Sequence, residues 1–329
     1  MKSNKPFYSL GGIQMKKINS ISEIECTDNT LVVMFGIPGC GKSYTSEKIA
    51  EMNVNTFIMS SDAIREELYG TAACQDDPNR VFNILQQRAT DHLKNGDSVI
   101  IDATALIKKY RVSNLKVYKG RYKRAICVVC ATDLDVVFKQ NNERERHVPE
   151  EVIDRMFRTM SFPRDEEGWS EIYILQHPDN KKTLDDYLEA CKGIDHNNPH
   201  HLLNIYDHMI ACYTYLATSY PDDELLLTAA KFHDIGKPLV KTNMVRRGKD
   251  WIEDNKSHYL GHADVGAYFA ACSPDPRATV DLIRLIGYHM EKFANKDWDK
   301  NFETLYPDLY PTYVKLCHGD TVCDAEAVG

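Results

Sequence analysis

The feature that most restricts the fold of this chain is the segment Gly36 to Ser43, which reads Gly-Ile-Pro-Gly-Cys-Gly-Lys-Ser directly after the apolar run Leu31 to Phe35. Glycines at this spacing let backbone N–H groups surround phosphate oxygens, and the start of the next helix adds favourable dipole potential. Lys42 is expected to reach the β and γ phosphates of ATP, and the Ser43 hydroxyl to ligate Mg²⁺. The predicted nucleotide-binding residues are Gly36, Pro38, Gly39, Cys40, Gly41, Lys42, Ser43 and Tyr44. The segment therefore predicts a strand, a phosphate loop and a helix that bind ATP for phosphate transfer.

Short apolar runs alternate with longer amphipathic runs in the first half of the chain. The predicted strands are residues 31–35, 56–60, 98–102, 124–131 and 172–175. This alternation is typical of βαβ units, whose strands form a mainly parallel sheet flanked by helices. We therefore predict an α/β P-loop domain over residues 30–177, preceded by an N-terminal extension of residues 1–29.

The second half of the chain has a different pattern. Strand-like runs disappear after about residue 178, and nine of the twelve histidines follow residue 195. The long helical patterns are residues 202–217, 223–233 and 276–289. We therefore predict a linker over residues 178–195 and an all-α domain over residues 196–329.

Composition excludes several classes of protein. A hydrophobic fraction of 43% and a charged fraction of 27% are typical of a globular protein, and no apolar stretch approaches the roughly 20 residues of a membrane span. The net charge of −8 argues against a protein that coats DNA. The N-terminus lacks a signal-peptide pattern, so we expect a cytoplasmic location and ten reduced cysteines. Cys127 and Cys130 are three apart in a predicted strand and point to opposite faces, so we expect core packing rather than metal binding.

Two carboxylates follow predicted strands of the first domain. Asp62 comes after the second strand and Asp102 ends the third, which places both where ligands of open parallel sheets bind. Asp62 could take the proton from an attacking hydroxyl, and Arg65, one turn later, could hold a substrate phosphate. The alternative is that Asp62 only caps the next helix.

Two groups of basic residues follow. The first contains no acidic residue and is interleaved with tyrosines, as a nucleic-acid surface would be, although a solvated helix face has the same pattern. It comprises Lys108, Lys109, Arg111, Lys116, Lys119, Arg121, Lys123 and Arg124. The second group, Arg144 and Arg146, precedes a helix that starts at a proline and could close over ATP as a lid.

Four segments together resemble the kinase domain of bacteriophage-type polynucleotide 5′-hydroxyl kinases, over roughly residues 30–175. They are the phosphate loop, Ser-Ser-Asp-x-x-Arg ending at Arg65, Asp-Ala-Thr ending at Thr104, and the arginine lid with the following Val-Pro-Glu-Glu-Val-Ile-Asp-Arg-Met. The resemblance implies transfer of the ATP γ-phosphate to a 5′-OH end of RNA or DNA. Its implied catalytic residues are Lys42, Asp62 as general base, Arg65 on the substrate phosphate, and Arg144 and Arg146 on the donor phosphates. That family often has asparagine where this chain has Ala105.

Histidines and aspartates recur through the second half in a fixed order. His233 and Asp234 are adjacent at the end of a helical run, and the other members are His208, His262, His289 and Asp320. A mixed nitrogen and oxygen ligand set suits Mn²⁺, Fe²⁺, Ni²⁺, Co²⁺ or Zn²⁺. Other residues compete for these positions: His258 for that of His262, His200 or His201 for that of His208, and Asp324 for that of Asp320.

The ordered set resembles the H…HD…H…H…D pattern of HD-domain metal-dependent phosphohydrolases, over roughly residues 196–329. By this resemblance a first metal is held by His208, His233, Asp234 and Asp320. A second metal is held by His262 and His289, with Asp234 bridging. Lys237, about one turn beyond the motif, could bind the scissile phosphate as a point charge.

The fusion of two such domains resembles bifunctional enzymes that heal broken RNA, in which the same two domains occur in the opposite order. One activity would add a 5′ phosphate, and the other would remove a 2′,3′-cyclic phosphate or a 2′/3′-phosphate. The implied partners are ATP, RNA or DNA with 5′-OH ends, and a separate RNA ligase, with no membrane partner. The alternatives are a nucleoside or nucleotide kinase fused to a nucleotide phosphohydrolase, and an ATP-gated sensor or toxin regulator.

Overall fold

The computed structural model describes residues 14–197 and 202–328, and for residues 324–328 it describes the backbone alone. The chain divides into two compact units. Unit 1 contains the residues up to Met156 together with Pro163–Asp179, and unit 2 contains Phe157–Phe162 and the residues from Asn180 onward. No helix in the described part of the chain combines the length and apolarity needed to cross a membrane.

Unit 1 is built on one parallel sheet of six strands. They are β1 (Gln14–Ile18), β2 (Thr30–Phe35), β3 (Thr56–Ser60), β4 (Ser98–Asp102), β5 (Arg124–Ala131) and β6 (Glu171–Gln176). Their order across the sheet is β1-β6-β5-β2-β4-β3. Every residue of the apolar strand β2 is buried, as expected for a central strand covered on both faces by helices. The predicted α/β class is confirmed.

Helices follow the strands of this sheet. They are α1 (Lys42–Met52), α2 (Ser61–Tyr69), α3 (Pro78–Lys94), α4 (Lys108–Tyr118), α5 (Leu134–Glu143) and α6 (Glu150–Arg158), the last of which crosses the boundary between the units. Local signals set their ends. The Asp77 side chain accepts a hydrogen bond from the N–H of Arg80 at the start of α3, and Gly70 ends α2 in the left-handed conformation.

The order of the strands reverses at β2. Strands β3 and β4 lie on one side of β2, and the following strands β5 and β6 lie on the other. Strands β3 and β4 are in register to their ends, where Ser60 pairs with Asp102. The carboxyl ends of β2, β3 and β4 therefore lie side by side. Open parallel sheets bind ligands at such a reversal point, beyond the carboxyl ends of the strands.

The sheet begins earlier than predicted. Strand β1 lies inside the predicted N-terminal extension of residues 1–29 and pairs in parallel with β6. Its sequence, Gln-Met-Lys-Lys-Ile, has only Met15 and Ile18 buried, because it is the edge strand of the sheet. An edge strand this short and this charged carries almost no hydrophobic pattern, which explains why it was missed.

Unit 2 is mainly helical. Its helices are α7 (Leu184–Glu189), α8 (Ile205–Ser219), α9 (Glu224–Phe232), α10 (Lys237–Val240), α11 (His262–Cys272), α12 (Val280–Tyr288), α13 (Glu291–Ala294), α14 (Trp298–Leu305) and α15 (Tyr310–Val328). Helix α7 lies in the segment predicted as a linker, and its Tyr187 ring stacks on Phe269 of α11 with centroids 4.5 Å apart. The second half of that predicted linker is thus a packed part of unit 2.

An antiparallel hairpin interrupts the helices of unit 2. Its strands are β7 (Thr242–Arg247) and β8 (Asp250–His258), and they pair with each other. The prediction of an all-α domain missed this hairpin, because its sequence is polar and highly charged and lacks the β-branched enrichment of ordinary strands. The rest of the unit is helical as predicted.

A buried ion pair holds the turn that follows β4. The Arg111 guanidinium donates to both carboxylate oxygens of Glu167, at 2.7 and 2.5 Å, and both side chains are fully buried. Arg111 also donates to the carbonyl oxygen of Ala105 at 2.9 Å. Ala105 has a φ of +44°, in the left-handed region that alanine avoids and asparagine tolerates. The asparagine of the resembling family would therefore fit this backbone well.

We predict that Glu167→Ala destabilises unit 1 by about 3–5 kcal/mol, because it leaves the Arg111 charge buried without its partner. The measurement is hydrogen exchange of β2 peptides across a urea titration, which follows the opening of unit 1. The matched control is Glu67→Ala, which removes an equally bidentate but exposed ion pair with Arg88. We expect that control to cost less than about 1 kcal/mol. Equal effects of the two variants would show that the burial of the pair is unimportant.

Candidate active sites

The loop between β2 and α1 has the backbone that its glycines permit. Gly39 and Gly41 have φ values of +88° and +86°, in the left-handed region that disfavours other residues. Gly36 is needed for a different reason, because a Cβ atom there would lie 2.3 Å from the Cys40 Sγ atom. Gly41 immediately precedes α1, so the loop leads into a helix N-terminus whose free N–H groups attract phosphate.

A cleft of about 210 Å³ lies over this loop. Its lining residues are Gly39, Gly41, Lys42, Ser43, Tyr44, Gln140 and Arg144. The cleft joins the predicted nucleotide loop to Arg144 of the predicted lid. Gln140 belongs to no motif and was missed. Gly36, Pro38 and Cys40 belong to the same loop without lining the cleft.

The Ser43 hydroxyl donates a hydrogen bond to Asp102 Oδ2 at 2.9 Å. Burial raises the pKa of Asp102, and the hydrogen bond from Ser43 opposes that rise. A serine of the phosphate loop beside an aspartate at a strand end is the oxygen pair that holds Mg²⁺ in P-loop enzymes. These residues therefore fit the ion. Asp102 was not among the predicted metal ligands, although its position after an apolar strand was a usable signal.

Asp62 is not the cap of α2. The Ser60 hydroxyl accepts the hydrogen bond from the N–H of Ala63, so Ser60 is the capping residue and the alternative interpretation of Asp62 is wrong. The Asp62 side chain is 56% exposed and is held by Arg65, whose Nη1 lies 2.7 Å from Asp62 Oδ1. Arg146 Nη1 lies 3.7 Å from the other carboxylate oxygen. The structure therefore brings together the predicted base, the predicted acceptor-side arginine and one lid arginine.

The base of the lid is fixed by a buried amide. The Asn141 side chain exchanges hydrogen bonds with Val148, donating to its carbonyl oxygen at 2.8 Å and accepting from its N–H at 2.9 Å. The segment between these residues carries Arg144 toward the nucleotide cleft and Arg146 toward Asp62. Arg144 thus lines the cleft over the phosphate loop, and Arg146 lies near Asp62.

Cys40 of the phosphate loop is buried beside Cys130 of β5. Burial opposes ionisation of Cys40, but the hydrogen bond from Cys130 and the charge of Lys42 outweigh it and lower its pKa to about 6. Cys127 lies on the other face of the strand, where burial raises the pKa of its thiol. The predicted core packing of Cys127 and Cys130 agrees with their burial.

The basic stretch from Lys108 to Arg124 is only partly available to a nucleic acid. Arg111 is fully buried on Glu167, Lys108 lies 2.7 Å from Glu166, and Arg124 pairs with Glu171. The sequence contained no acidic residue in the stretch itself, but the fold supplies acidic partners from residues about 50 positions later. The interpretation of the stretch as a nucleic-acid surface is therefore wrong for the buried Arg111, and carboxylates offset the charges of Lys108 and Arg124.

Unit 2 collects all six predicted metal ligands into two adjacent groups. His208, His233 and Asp320 form one group, and Asp234, His262 and His289 form the other, with the ligand atoms of each group within 4.8 Å of one another. The two oxygens of Asp234 face different groups. Oδ2 lies 3.3 Å from His233 Nε2, and Oδ1 lies 3.2 Å from His262 Nε2. Asp234 therefore occupies the position of the predicted bridging ligand.

Close backbone packing makes this arrangement possible. Gly236, two residues after Asp234, lies against α11, and a Cβ atom at Gly236 would lie 2.1 Å from the carbonyl oxygen of His262. Only glycine lets the two segments approach so closely.

The hydrogen bonds of the histidine rings test whether a metal fits. The Nδ1 atoms of His233, His262 and His289 donate to backbone carbonyl oxygens at 2.9, 2.7 and 2.7 Å. When the rings are neutral, their Nε2 atoms therefore carry no proton and present a lone pair that can bind a metal. His262 Nε2 and His289 Nε2 lie 3.2 Å apart. Asp234 Oδ2 is ion-paired with Lys237, whereas the buried Oδ1 lies 3.2 Å from His262 Nε2 and accepts no hydrogen bond in good geometry. Converging lone pairs and a buried carboxylate oxygen without a donor fit divalent cations.

The charges at the site lead to the same conclusion. Burial opposes protonation of His233, but Asp234 and Asp320 outweigh it and raise its pKa to about 10. Burial also opposes ionisation of Asp234, yet Lys237 and His233 hold the pKa of that carboxyl well below its usual range. The two carboxylates thus stay charged and attract a positive charge, which a metal ion supplies in place of the proton.

Lys237 is a buried member of the same site. Its Nζ lies 2.5 Å from Asp234 Oδ2 and 3.0 Å from Nε2 of the buried His196. The His196 Nδ1 donates to the carbonyl oxygen of Leu203 at 2.7 Å, so its Nε2 is an acceptor for the Lys237 ammonium. Tyr259 donates to the backbone carbonyl of His196 at 2.6 Å. Sequence reasoning missed His196, because nothing in the local sequence separates it from an ordinary core histidine.

The competing ligands do not join the described cluster. His258 pairs with Asp254 at 2.9 Å on β8. His200 and His201 lie outside the described residues, as does the side chain of Asp324. The Cys323 Sγ atom lies 3.6 Å from His208 Nδ1, where the other histidines of the cluster have carbonyl oxygens.

We predict that Mn²⁺ or Co²⁺, added to protein stripped with a chelator, raises the melting temperature of unit 2 by several degrees, because the folded state alone presents the assembled ligands. Asp234→Asn should remove this rise, since the bridging charge is lost. Differential scanning calorimetry provides the measurement. Asp222→Asn, an exposed change in the same unit, is the matched control and should keep the full rise. A rise that survives Asp234→Asn would place the metal elsewhere.

Comparison with known proteins agrees with this architecture. Residues 31–163 match the AAA domain family, and residues 205–317 match the HD domain family. Unit 1 thus has a P-loop kinase fold, which implies ATP and Mg²⁺, and unit 2 contains an HD domain, which implies a divalent metal. The predicted combination of a P-loop kinase domain with an HD domain is confirmed.

Individual relatives cover only parts of the chain. The L-seryl-tRNA(Sec) kinase of Methanococcus maripaludis is 27% identical over 171 residues, which are 51% of this chain and 66% of that protein. A chain of the Pnkp1/Rnl/Hen1 RNA repair complex has 20% identity and a TM-score of 0.36, with 42% of this chain and 45% of that chain covered. A gluconokinase from Sinorhizobium meliloti 1021 has 20% identity and a TM-score of 0.34, with 45% and 85% covered. The chain thus spans less than two thirds of the archaeal kinase and less than half of the repair-complex chain.

Proposed function

We propose that the protein heals nucleic-acid ends, using unit 1 to phosphorylate 5′-OH ends and unit 2 to remove 2′,3′-cyclic phosphate or 2′/3′-phosphate groups. RNA with such ends is the proposed substrate, and a separate RNA ligase would seal the healed ends. One observation carries the choice of a polynucleotide acceptor. The side chain of Asp62, the proposed base, is 56% exposed, whereas a small nucleoside would need an enclosed acceptor pocket.

In unit 1 the proposed base and the donor site are held by separate contacts. Lys42 and Arg144 line the cleft that takes the triphosphate, and they would offset the negative charge on the transferring group. Asp62 would accept the proton of the attacking 5′-hydroxyl. Arg65 holds Asp62 in place, and with Arg146 it lies on the side where the acceptor phosphate would bind. Ser43 and Asp102 would hold Mg²⁺, which neutralises charge on the phosphates.

In unit 2 the proposed metal ligands are the six clustered histidines and aspartates, and the two oxygens of Asp234 face the two groups. Bound cations would activate a water and stabilise the attacking and leaving oxygens of a phosphate ester. Lys237 adds a positive charge beside Asp234, and His196 fixes where that charge lies. Mn²⁺, Ni²⁺ and Co²⁺ are the metals proposed for this mixed ligand set, and Fe²⁺ and Zn²⁺ suit it as well.

The archaeal relative supports an RNA-linked acceptor. Its name, L-seryl-tRNA(Sec) kinase, describes phosphorylation of a group carried by an RNA. The second candidate function is a nucleoside or nucleotide kinase fused to a nucleotide phosphohydrolase. Its support is the pairing of three residues of the basic stretch with acidic side chains, which leaves a smaller surface for a nucleic acid in unit 1.

We predict that Asp62→Asn lowers the kinase kcat by about 10²–10⁴-fold, because the side chain can no longer accept a proton. The asparagine oxygen can still accept the hydrogen bond from Arg65, so the position of the side chain is kept. Lys42→Ala should lower it as strongly. The measurement is transfer of labelled phosphate from ATP, with Mg²⁺, to a 5′-OH oligoribonucleotide. Neither change should alter hydrolysis by unit 2. Asp76→Asn, an exposed change in unit 1 with no ion pair among the described residues, is the control.

The reciprocal prediction concerns unit 2. Asp234→Ala should abolish release of phosphate from an oligoribonucleotide with a 2′,3′-cyclic phosphate end in Mn²⁺, Ni²⁺ or Co²⁺, and leave the kinase unchanged. An RNA that carries both a 5′-OH and a 2′,3′-cyclic phosphate end tests the two activities in one experiment, because each activity changes one end of the product. Labelling of a free nucleoside without labelling of any oligonucleotide would contradict the polynucleotide proposal and favour the second candidate. ATP turnover that depends on no acceptor would favour an ATP-gated regulator.

A further inference from the structure

The hairpin of β7 and β8, here called the arm, has exposed side chains on both faces. Trp251 is 63% exposed, and Met244 and Ile252 are also exposed large hydrophobic residues. Directly paired residues of an antiparallel hairpin point to the same face, so Met244 and Ile252, which pair with Glu253 and Val245, lie on opposite faces. A hairpin with both faces in solvent is only marginally stable by itself. Trp251 pairs with Arg246, two residues from Met244, so the exposed Trp251 and Met244 side chains lie on the same face of the arm.

The tip of the arm has a net positive charge. Arg246, Arg247 and Lys249 surround the turn at Gly248, against one acidic residue, Asp250, which is the register partner of Arg247. None of the three cations forms an ion pair in the described part of the chain. Arg246 pairs across the strands with Trp251, so a guanidinium and an indole lie on the same face of the tip. This basic tip stands out because residues from 181 onward otherwise carry an excess of acidic side chains.

The base of the arm lies next to the metal-binding cluster. Thr242 at the start of β7 pairs with His258 at the end of β8, and the ligand His262 follows four residues later. Tyr259, the residue after β8, has its ring 5.5 Å from the Lys237 Nζ atom. Strands rise about 3.3 Å per residue, so the tip lies about 17 Å along the arm from this base.

We infer that the arm binds the nucleic-acid strand whose end enters the metal site of unit 2, with Trp251 stacking on a base and the three tip cations contacting backbone phosphates. This inference rests on the proposed function, because it specifies how unit 2 holds a polynucleotide. Aromatic stacking beside basic side chains is the common way to bind single strands without reading their sequence. A second copy of this chain is disfavoured as the partner. Contact between two arm tips would bring their six cations together.

The test compares a long and a short substrate on the full chain. The long one is an oligoribonucleotide of 12 nucleotides with a 2′,3′-cyclic phosphate end, and the short one is a 2′,3′-cyclic mononucleotide that cannot reach the tip. The triple change R246A, R247A and K249A should raise KM for the oligonucleotide about tenfold or more at low salt and leave kcat unchanged. It should also reduce the slope of log affinity against log salt by about 2, since each lost contact to a single strand contributes about 0.7.

Trp251 has its own pair of variants. Trp251→Ala should raise KM for the oligonucleotide about tenfold, and Trp251→Phe should retain most of the affinity because it keeps an aromatic face. KM for the mononucleotide should be that of the unsubstituted protein in every arm variant. The double change K296A and K300A removes exposed cations elsewhere in unit 2 and should have no effect on either substrate.

Unchanged oligonucleotide kinetics in both the triple and the Trp251→Ala variants would overturn the inference while leaving the proposed function intact. If unit 2 hydrolyses only mononucleotides, the proposed function fails. Fluorescence anisotropy of a labelled oligonucleotide then tests the inference about the arm by itself. Loss of binding in the arm variants would support the inference, and unchanged binding would refute it. A dimer in solution that becomes monomeric on changing Trp251 would identify the arm as a subunit interface and also overturn it.

Discussion

The buried carboxylate of Asp234 is the constraint around which unit 2 is arranged. An ionised carboxylate costs several kcal/mol to bury unless positive charge surrounds it. Here that charge comes from Lys237 and His233, and Oδ1 has no hydrogen-bond donor in good geometry. The histidine rings are oriented by hydrogen bonds to carbonyl oxygens, so their free nitrogens point at the same place. Helices that are far apart in the sequence therefore converge on one small site, whose ligand atoms suit a divalent ion.

Unit 1 depends on a different constraint, the parallel alignment of its strands. Because β2, β3 and β4 end at the same edge, three segments far apart in sequence meet there. The phosphate loop comes from the first, Asp62 follows the second, and Asp102 ends the third. Asp102 reaches Ser43 and Asp62 meets a lid arginine. The ion pair of Arg111 and Glu167 then holds the turn after β4, so a buried charge outside the cleft supports the edge on which the cleft is built.

The parts of both sites that could be predicted are those with a local or ordered signature. The phosphate loop is contiguous, and its conformation depends on glycines that the sequence displays directly. The six candidate metal ligands are spread over more than 100 residues, yet their order and the adjacent His233 and Asp234 gave the resemblance to HD domains that predicted them together. Gln140 and His196 were not predicted as site residues, and Asp102 was not predicted as a metal ligand. The contacts of Asp102 with Ser43 and of His196 with Lys237 join residues far apart in the chain, and Gln140 reaches the cleft from a helix that carries no motif, so the local sequence does not show these roles.

The sequence by itself determined the two fold classes, the phosphate loop and the identity of the clustered ligands, because periodicity, glycine spacing and residue chemistry are local properties. Tertiary structure alone decided which charges are available. In the sequence Arg111 belongs to a basic stretch, but in the structure it is buried on Glu167. Arg246, Arg247 and Lys249 belong to no sequence motif, and at the tip of a hairpin they form no ion pair with any described residue. The free energy of a charged side chain depends on burial and on partners supplied by distant segments, so only the folded chain distinguishes a structural arginine from one that can bind a ligand.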